Sequence, residues 1–176
     1  NGYSSHVDNL QIFLTQAQTN FDVACISETS LNTDDIIPDT ALLPNFNYPF
    51  TTPTQTPKGG VAIFTNSKLD VFEREDLKVS NKEFESVWVE IKNNSTKNTV
   101  IGCTYRHPHQ QNLDEYTKYI NRCLLKLNKE NKEVYIAGDF NIDFLQYETN
   151  PQYRDFYNLT TFNGFLPLIT NPTRIS

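Results

Sequence analysis

A string of short apolar runs constrains this chain more than any other feature. Val23 to Ile26, Val61 to Phe64, Val100 to Cys103 and Val134 to Ala137 are each almost continuously apolar and read as strands. The first suits a strand covered on both faces. Phe84 to Ile91 alternates instead, with Val87, Val89 and Ile91 on one side, and predicts a strand with one face on the core. The polar stretch Asn93 to Asn98 separates it from a strand over Thr99 to Thr104, so the two form a hairpin. Leu69 to Leu77 reads as an edge strand.

Helical spacing interrupts the runs. Val7, Leu10, Phe13, Leu14 and Ala17 predict an amphipathic helix with Ser5 or Asp8 as its cap. Leu113, Tyr116, Ile120, Leu124 and Leu127 predict a second, opened by a capping box of Asn112 and Glu115. Asn128 to Lys132 then connects it to the next strand. A last helix starts at Asn150-Pro151 and stops at Asn163-Gly164. Five prolines between Pro38 and Pro57 predict no regular structure over 38–58. Strands joined partly by hairpins and partly by helices place the chain in the α/β (α+β) class, as one layered domain over 1–176.

Composition removes several functions. No run approaches 18 apolar residues, so no helix spans a membrane. The first residues carry no basic flank and no apolar h-region, so they do not read as a secretory signal. Aromatic residues make up 12%, which argues against disorder. Against 21 acidic residues stand 15 Lys and Arg, a net charge of -6. That balance argues against binding duplex nucleic acid mainly by neutralising many phosphates, but does not exclude meeting phosphates through a bound cation. Cys25, Cys103 and Cys123 are far apart and form no CxxC, so they read as buried reduced thiols.

Chemistry gathers where the apolar runs stop. Ser27-Glu28-Thr29 follows the first, Thr104-Tyr105-Arg106 the hairpin's second strand, and Gly138-Asp139-Phe140-Asn141 the last. Groups just beyond strand ends can converge on one crevice. Glu28 and Asp139 are hard oxygen donors of the kind Mg²⁺ takes, one or two at a time. Tyr105 and Asn141 can donate to an oxyanion. Together the set suits metal-assisted attack on a phosphoryl group. Taken singly, each has a plainer explanation: a solvated edge charge, a core-rim tyrosine, or a turn that uses Gly, Asp and Asn for their backbone tolerance. His107 and His109 flank Pro108 as an HxH pair, a weak metal signal without further His or Cys. Arg106 and Lys58 read as surface charges able to touch phosphates.

In chain order, Ser27-Glu28-Thr29, Gly59-Gly60-Val61-Ala62-Ile63-Phe64, Val87-Trp88-Val89-Glu90, Thr104-Tyr105-Arg106 and Gly138-Asp139-Phe140-Asn141 resemble the endonuclease/exonuclease/phosphatase superfamily. Asn163-Gly164-Phe165 and Thr170-Asn171-Pro172-Thr173-Arg174 look like the apurinic-type endonuclease domain of non-LTR (LINE-type) retrotransposon polyproteins. The resemblance implies a two-sheet mixed β-sandwich flanked by helices and a phosphodiesterase dependent on Mg²⁺, with Mn²⁺ as a substitute. It puts metal binding on Glu28, transition-state stabilisation on Tyr105, and work at the scissile phosphate and attacking water on Asp139 and Asn141. Its implied substrate is DNA, nicked on one strand so that the free 3′-hydroxyl primes a reverse transcriptase domain further along the polyprotein. That points to the nucleus, after translation in the cytoplasm, and to no membrane partner.

Two departures qualify the resemblance. Ser30 stands where the family often has Trp. The family's opening strand with an Asn, and its closing strands with an Asp and an Asp-His pair, have no match here, and none of His6, His107 or His109 takes that His's place. The expectation is an incomplete sandwich, truncated at both ends, weakly active or inactive alone, since general acid–base help contributes about 10²–10⁴-fold. Competing readings are a phosphatase or RNA nuclease on the same fold, and a degenerate, non-catalytic remnant.

Overall fold

Hydrogen bonding sorts the strands into two sheets, and alternation along one central strand shows how the layers stack. The computed structural model describes residues 3–17, 19–31, 37, 42–54, 56, 58–94, 96–108 and 113–169. These fall into two compact units, Asn1–His107 with Lys132–Phe140, and Pro108–Asn131 with Asn141–Ser176.

The first unit contains helix α1 (Tyr3–Gln16) and strands β1 (Val23–Ser27), β2 (Phe50–Thr52), β3 (Val61–Thr65), β4 (Val71–Glu73), β5 (Val79–Ser80), β6 (Phe84–Ile91), β7 (Thr99–Arg106) and β8 (Glu133–Asp139). One sheet has the order β1-β3-β2 and is antiparallel; the other runs β4-β6-β7-β8, with β5 also on β6. Only the β7–β8 pairing is parallel, which makes the second sheet mixed. Every residue of β3 is buried because both faces are covered. Val61 and Ile63 pack with Val87, Val89 and Cys103 of the facing sheet. Ala62 and Phe64 turn the other way, onto Tyr3 and Val7 of α1. This is the expected mixed sandwich with a helix on its flank.

Several local expectations need correction. α1 starts before Val7, because the Tyr3 N–H finds the Thr29 carbonyl at 2.9 Å and the Tyr3 ring stacks on Phe64 at 5.3 Å. Asp8 therefore lies inside the helix, exposed, and is no cap; the Ser5 side chain lies outside the described part of the structure. β1 is an edge strand, so its residues are half-buried rather than covered on both faces. Regular structure does occur within 38–58: β2 sits between Pro49 and Pro53 and pairs with β3. The edge segment 69–77 shortens to β4, followed by a turn in which the Leu77 N–H bonds the Arg74 carbonyl at 3.0 Å. β6 is buried on both faces, not one. Its second face carries Trp88, whose ring lies over Gly102, and Glu90, which accepts from Arg74 at 2.9 Å and from Asn98 at 2.7 Å. β7 and β8 run further than their apolar runs, through Arg106 and Asp139.

The second unit pairs α2 (Asp114–Glu130) with α3 (Pro151–Phe162) and a short 3₁₀ turn at Phe144–Gln146. Tyr116 stacks on Phe156 at 5.7 Å with rings 11° apart, and Phe144 closes on the same ring. The Asn150 side chain caps α3 as the sequence predicts, accepting from the Gln152 and Tyr153 N–H groups. Asn112 of the proposed capping box lies outside the described residues; Leu113 occupies the N-cap position. The second helix also runs through Asn128 and Lys129 to Glu130, where a polar connection is expected. No described helix is long and apolar enough to cross a membrane. All three cysteines are free, with Cys103 and Cys123 buried and Cys25 half-buried.

A methyl group on Gly102 would meet the Trp88 ring at 2.5–2.7 Å. Gly102→Ala is therefore expected to lower stability by about 1–3 kcal/mol through overpacking, read as the shift in urea midpoint against wild type.

Candidate active site

The site is laid out by sheet register. Cα partners across the ladder are Glu85 with Tyr105 and Tyr105 with Asp139. Directly opposed residues share a face, so these three side chains form a row across β6, β7 and β8. The face is the one that meets β3, since Val87 and Cys103, two residues further along their strands, lie in the core between the sheets. Tyr105 is thus inside β7 rather than beyond its end, and Asp139 is the last residue of β8.

Glu28 comes to this row from the other sheet. It follows β1 directly and has a left-handed backbone, φ 57°, as does Ser30 at 54°. Non-glycine residues seldom adopt this conformation without support. Support comes from the Gly59-Gly60 turn: Thr29 N–H donates to the Gly60 carbonyl at 3.1 Å and Ser30 N–H to that of Gly59 at 2.7 Å. The exposed Glu28 carboxylate then accepts the Tyr105 hydroxyl at 2.7 Å. Beside Glu28 opens a cleft of about 420 Å³ whose wall includes His6, Leu10, Ser30 and Lys58.

Electrostatics keep Tyr105 a donor. Burial pushes its phenol well above the ordinary value of 10.0, helped by the hydrogen bond to Glu28 and the negative charge of Glu28, Asp139 and Glu85. A phenol held in this way stays protonated near neutral pH and can offer its proton to an anion.

The Gly-Asp-Phe-Asn motif does serve the backbone. Gly138 has φ 124°, and a Cβ there would lie 1.9 Å from the Thr104 carbonyl oxygen, so only glycine lets β8 approach β7 here. Asn141, at φ 49°, opens the second segment of the other compact unit. Arg106 is not a surface charge: it is buried, and its Nε donates to the Phe140 carbonyl at 2.8 Å. Lys58 is exposed at the cleft. His107 is buried, with its ring edge-on to Tyr105 at 4.8 Å, and His109 lies outside the described residues.

Sequence reading passed over Glu85. It is wholly buried, and its Oε2 accepts the Gly60 N–H at 2.6 Å. A signal was present: Glu85 precedes Val87, Val89 and Ile91 at alternate positions, so it is an acid on the apolar face of a core strand.

Among the described residues, no three His, Cys, Asp or Glu side chains cluster as a ready-made metal cage. That donor set still fits Mg²⁺, which keeps several waters and is held by one or two carboxylates. Glu28 offers such a carboxylate, at the surface and beside a neutral hydrogen-bond donor.

Comparison with known proteins agrees with this geometry. Residues 3–174 match the model of the Endonuclease/Exonuclease/phosphatase family, and the chain belongs to that family. Its name covers hydrolases of phosphate esters. Among solved structures, the chain is similar to the human Nocturnin catalytic domain with bound sulfate anion, at TM-score 0.58 and 15% identity. The match covers 90% of this chain and 63% of that one, and at this identity it speaks for the fold alone. No curated protein matches the sequence.

The raised phenol has a stability signature. The folded chain holds the Tyr105 proton more tightly than the unfolded chain, so the stability involved is intact below pH 10.0 and is lost as pH climbs through the folded value. Melting temperatures measured from neutral to strongly alkaline pH are expected to fall more steeply above that point for wild type than for Tyr105→Phe.

Proposed function

We propose that this chain is a divalent-metal-dependent phosphodiesterase that nicks DNA, of the kind non-LTR retrotransposons use to open their target. One observation carries the reading: the Tyr105 hydroxyl meets the Glu28 carboxylate at 2.7 Å, with Asp139 next to Tyr105 in the sheet. A carboxylate and a neutral donor side by side suit a cation and a phosphate oxygen side by side. Thr104-Tyr105-Arg106-His107-Pro108 and Pro172-Thr173-Arg174 favour the retrotransposon type over other members of the family.

Glu28 would hold Mg²⁺, or Mn²⁺ in its place, with water filling the remaining positions. A divalent ion bound there supplies Lewis-acid stabilisation of charge on the phosphoryl oxygens. With the Glu28 carboxylate committed to the cation, the Tyr105 hydroxyl would turn from Glu28 and donate its one hydrogen to a non-bridging oxygen as negative charge grows on it. Asp139 accepts a proton from the attacking water. The resemblance gives Asn141, two residues on in the same motif, a further role at the scissile phosphate. Water attacks phosphorus, the bond to the 3′ oxygen breaks, that oxygen takes a proton from solvent, and a 3′-hydroxyl and a 5′-phosphate remain. That hydroxyl is the primer for a reverse transcriptase domain in the same polyprotein, with chromosomal DNA in the nucleus as target. The net charge of -6 suits such a role only if a cation mediates contact with phosphate.

Supercoiled plasmid, a single-stranded RNA and an inositol phosphate, each incubated with excess chain, test the reading. Weak nicking at most, in keeping with the low activity expected of the chain alone, is expected with Mg²⁺, and none with chelator, Glu28→Ala or Asp139→Ala. Tyr105→Phe is expected to slow nicking about 10²–10³-fold, the scale of one lost oxyanion donor. Cleavage of the RNA or the inositol phosphate with the plasmid left intact would overturn DNA as substrate. Nicking that survives both alanine variants would overturn the site.

A further inference from the structure

We propose that Glu85, paired with His107, is a positioning residue that holds the Glu28 carboxylate and the Tyr105 ring in register for the metal ion; this rests on the function proposed above. The Glu85 side chain is completely buried, yet it lacks the company a buried acid normally keeps. Glu90, five places along from Glu85 on β6 and also buried, shows what that company looks like: Arg74, Asn98 and Lys132 all donate to it. Among the described residues, the Glu85 side chain accepts one hydrogen bond, from the Gly60 N–H to its Oε2 at 2.6 Å. Its Oε1 has none and faces His107 Nε2, likewise without a hydrogen bond, at 3.7 Å. Buried polar atoms left in this state call for an explanation, since native interiors seldom keep them.

Connectivity supplies one. Gly60, held by Glu85, and its neighbour Gly59 present the two carbonyls that receive the Thr29 and Ser30 N–H groups. Those bonds clamp the short stretch in which Glu28 and Ser30 are left-handed. On its other side Glu85 faces His107, whose ring meets Tyr105 edge-on at 78°. Glu85 is also the cross-strand partner of Tyr105 itself. One buried carboxylate therefore braces both ends of the Tyr105–Glu28 hydrogen bond. Groups that orient metal ligands from behind act in this way.

Mn²⁺ titration calorimetry on the full chain, with a thermal melt of each variant, tests the proposal. Glu85→Gln keeps an oxygen for the Gly60 N–H, whereas Glu85→Asp keeps the charge but draws it one methylene away. Glu85→Asp and Glu85→Ala are expected to weaken Mn²⁺ binding about 10–100-fold, with Glu85→Gln close to wild type. Should Glu85→Ala fail to fold, the contrast between Asp and Gln decides. Wild-type affinity in Glu85→Asp, or equal weakening in Glu85→Gln, overturns the proposal, because a purely structural acid would alter the melt and leave the affinity alone. Wild-type chain that binds no Mn²⁺, or Glu28→Ala that binds it undiminished, overturns the functional reading and this inference with it. Loss in Glu28→Ala with no effect of Glu85→Asp removes this inference alone.

Discussion

The antiparallel register between β6 and β7, unbroken from Phe84 opposite Arg106 to Ile91 opposite Thr99, is the constraint on which the rest depends. Strand side chains alternate, so a one-residue slip of β7 would exchange its two faces. Tyr105 would then leave the interior between the sheets, and Trp88 would lose the space above Gly102. The polar turn at 93–98 helps set the register, with Asn93 and Asn98 bonded across it. The apolar set Val87, Val89, Ile101 and Cys103 makes any other alignment costly by exposing it to water.

Given that register, two elements bring Asp139 and Glu28 to Tyr105. Parallel addition of β8 sets Asp139 beside Tyr105, and the tight β7–β8 approach at Gly138 sets where β8 ends its pairing. Glu28 arrives from the opposite sheet on a strained backbone held by the Gly59-Gly60 turn. Strain of this sort persists only when surrounding contacts over-determine it. Here they do: two backbone hydrogen bonds, a buried carboxylate behind the turn, and the Tyr105 hydroxyl in front. The result is an acid kept at the surface and a phenol kept protonated, a pairing of charge and donor that a phosphate ester and its counter-ion can use.

Much of this was legible from residue order. Apolar runs located the strands because burial demands it, and Asn150-Pro151 and Asn163-Gly164 bounded α3 because each residue type meets a specific need at a helix end. The reading weakened where tertiary contacts overrule local preference. Tyr3 extended α1 by reaching the Thr29 carbonyl, and β2 formed between two prolines because β3 offered an open edge. Arg106 looked like a surface charge until strand pairing carried it inside, to the Phe140 carbonyl.

By itself the sequence determined which chemistry is available: carboxylates at Glu28 and Asp139, donors at Tyr105 and Asn141, and strands stiff enough to hold them. Only the tertiary structure decided that Glu28 and Tyr105, 77 positions apart, meet at hydrogen-bond distance, and that Glu85 stands behind them both. The reason is physical. Periodicity reports which face of a strand is buried, but the partner across the interior is chosen by sheet packing, and packing depends on residues that no local pattern connects.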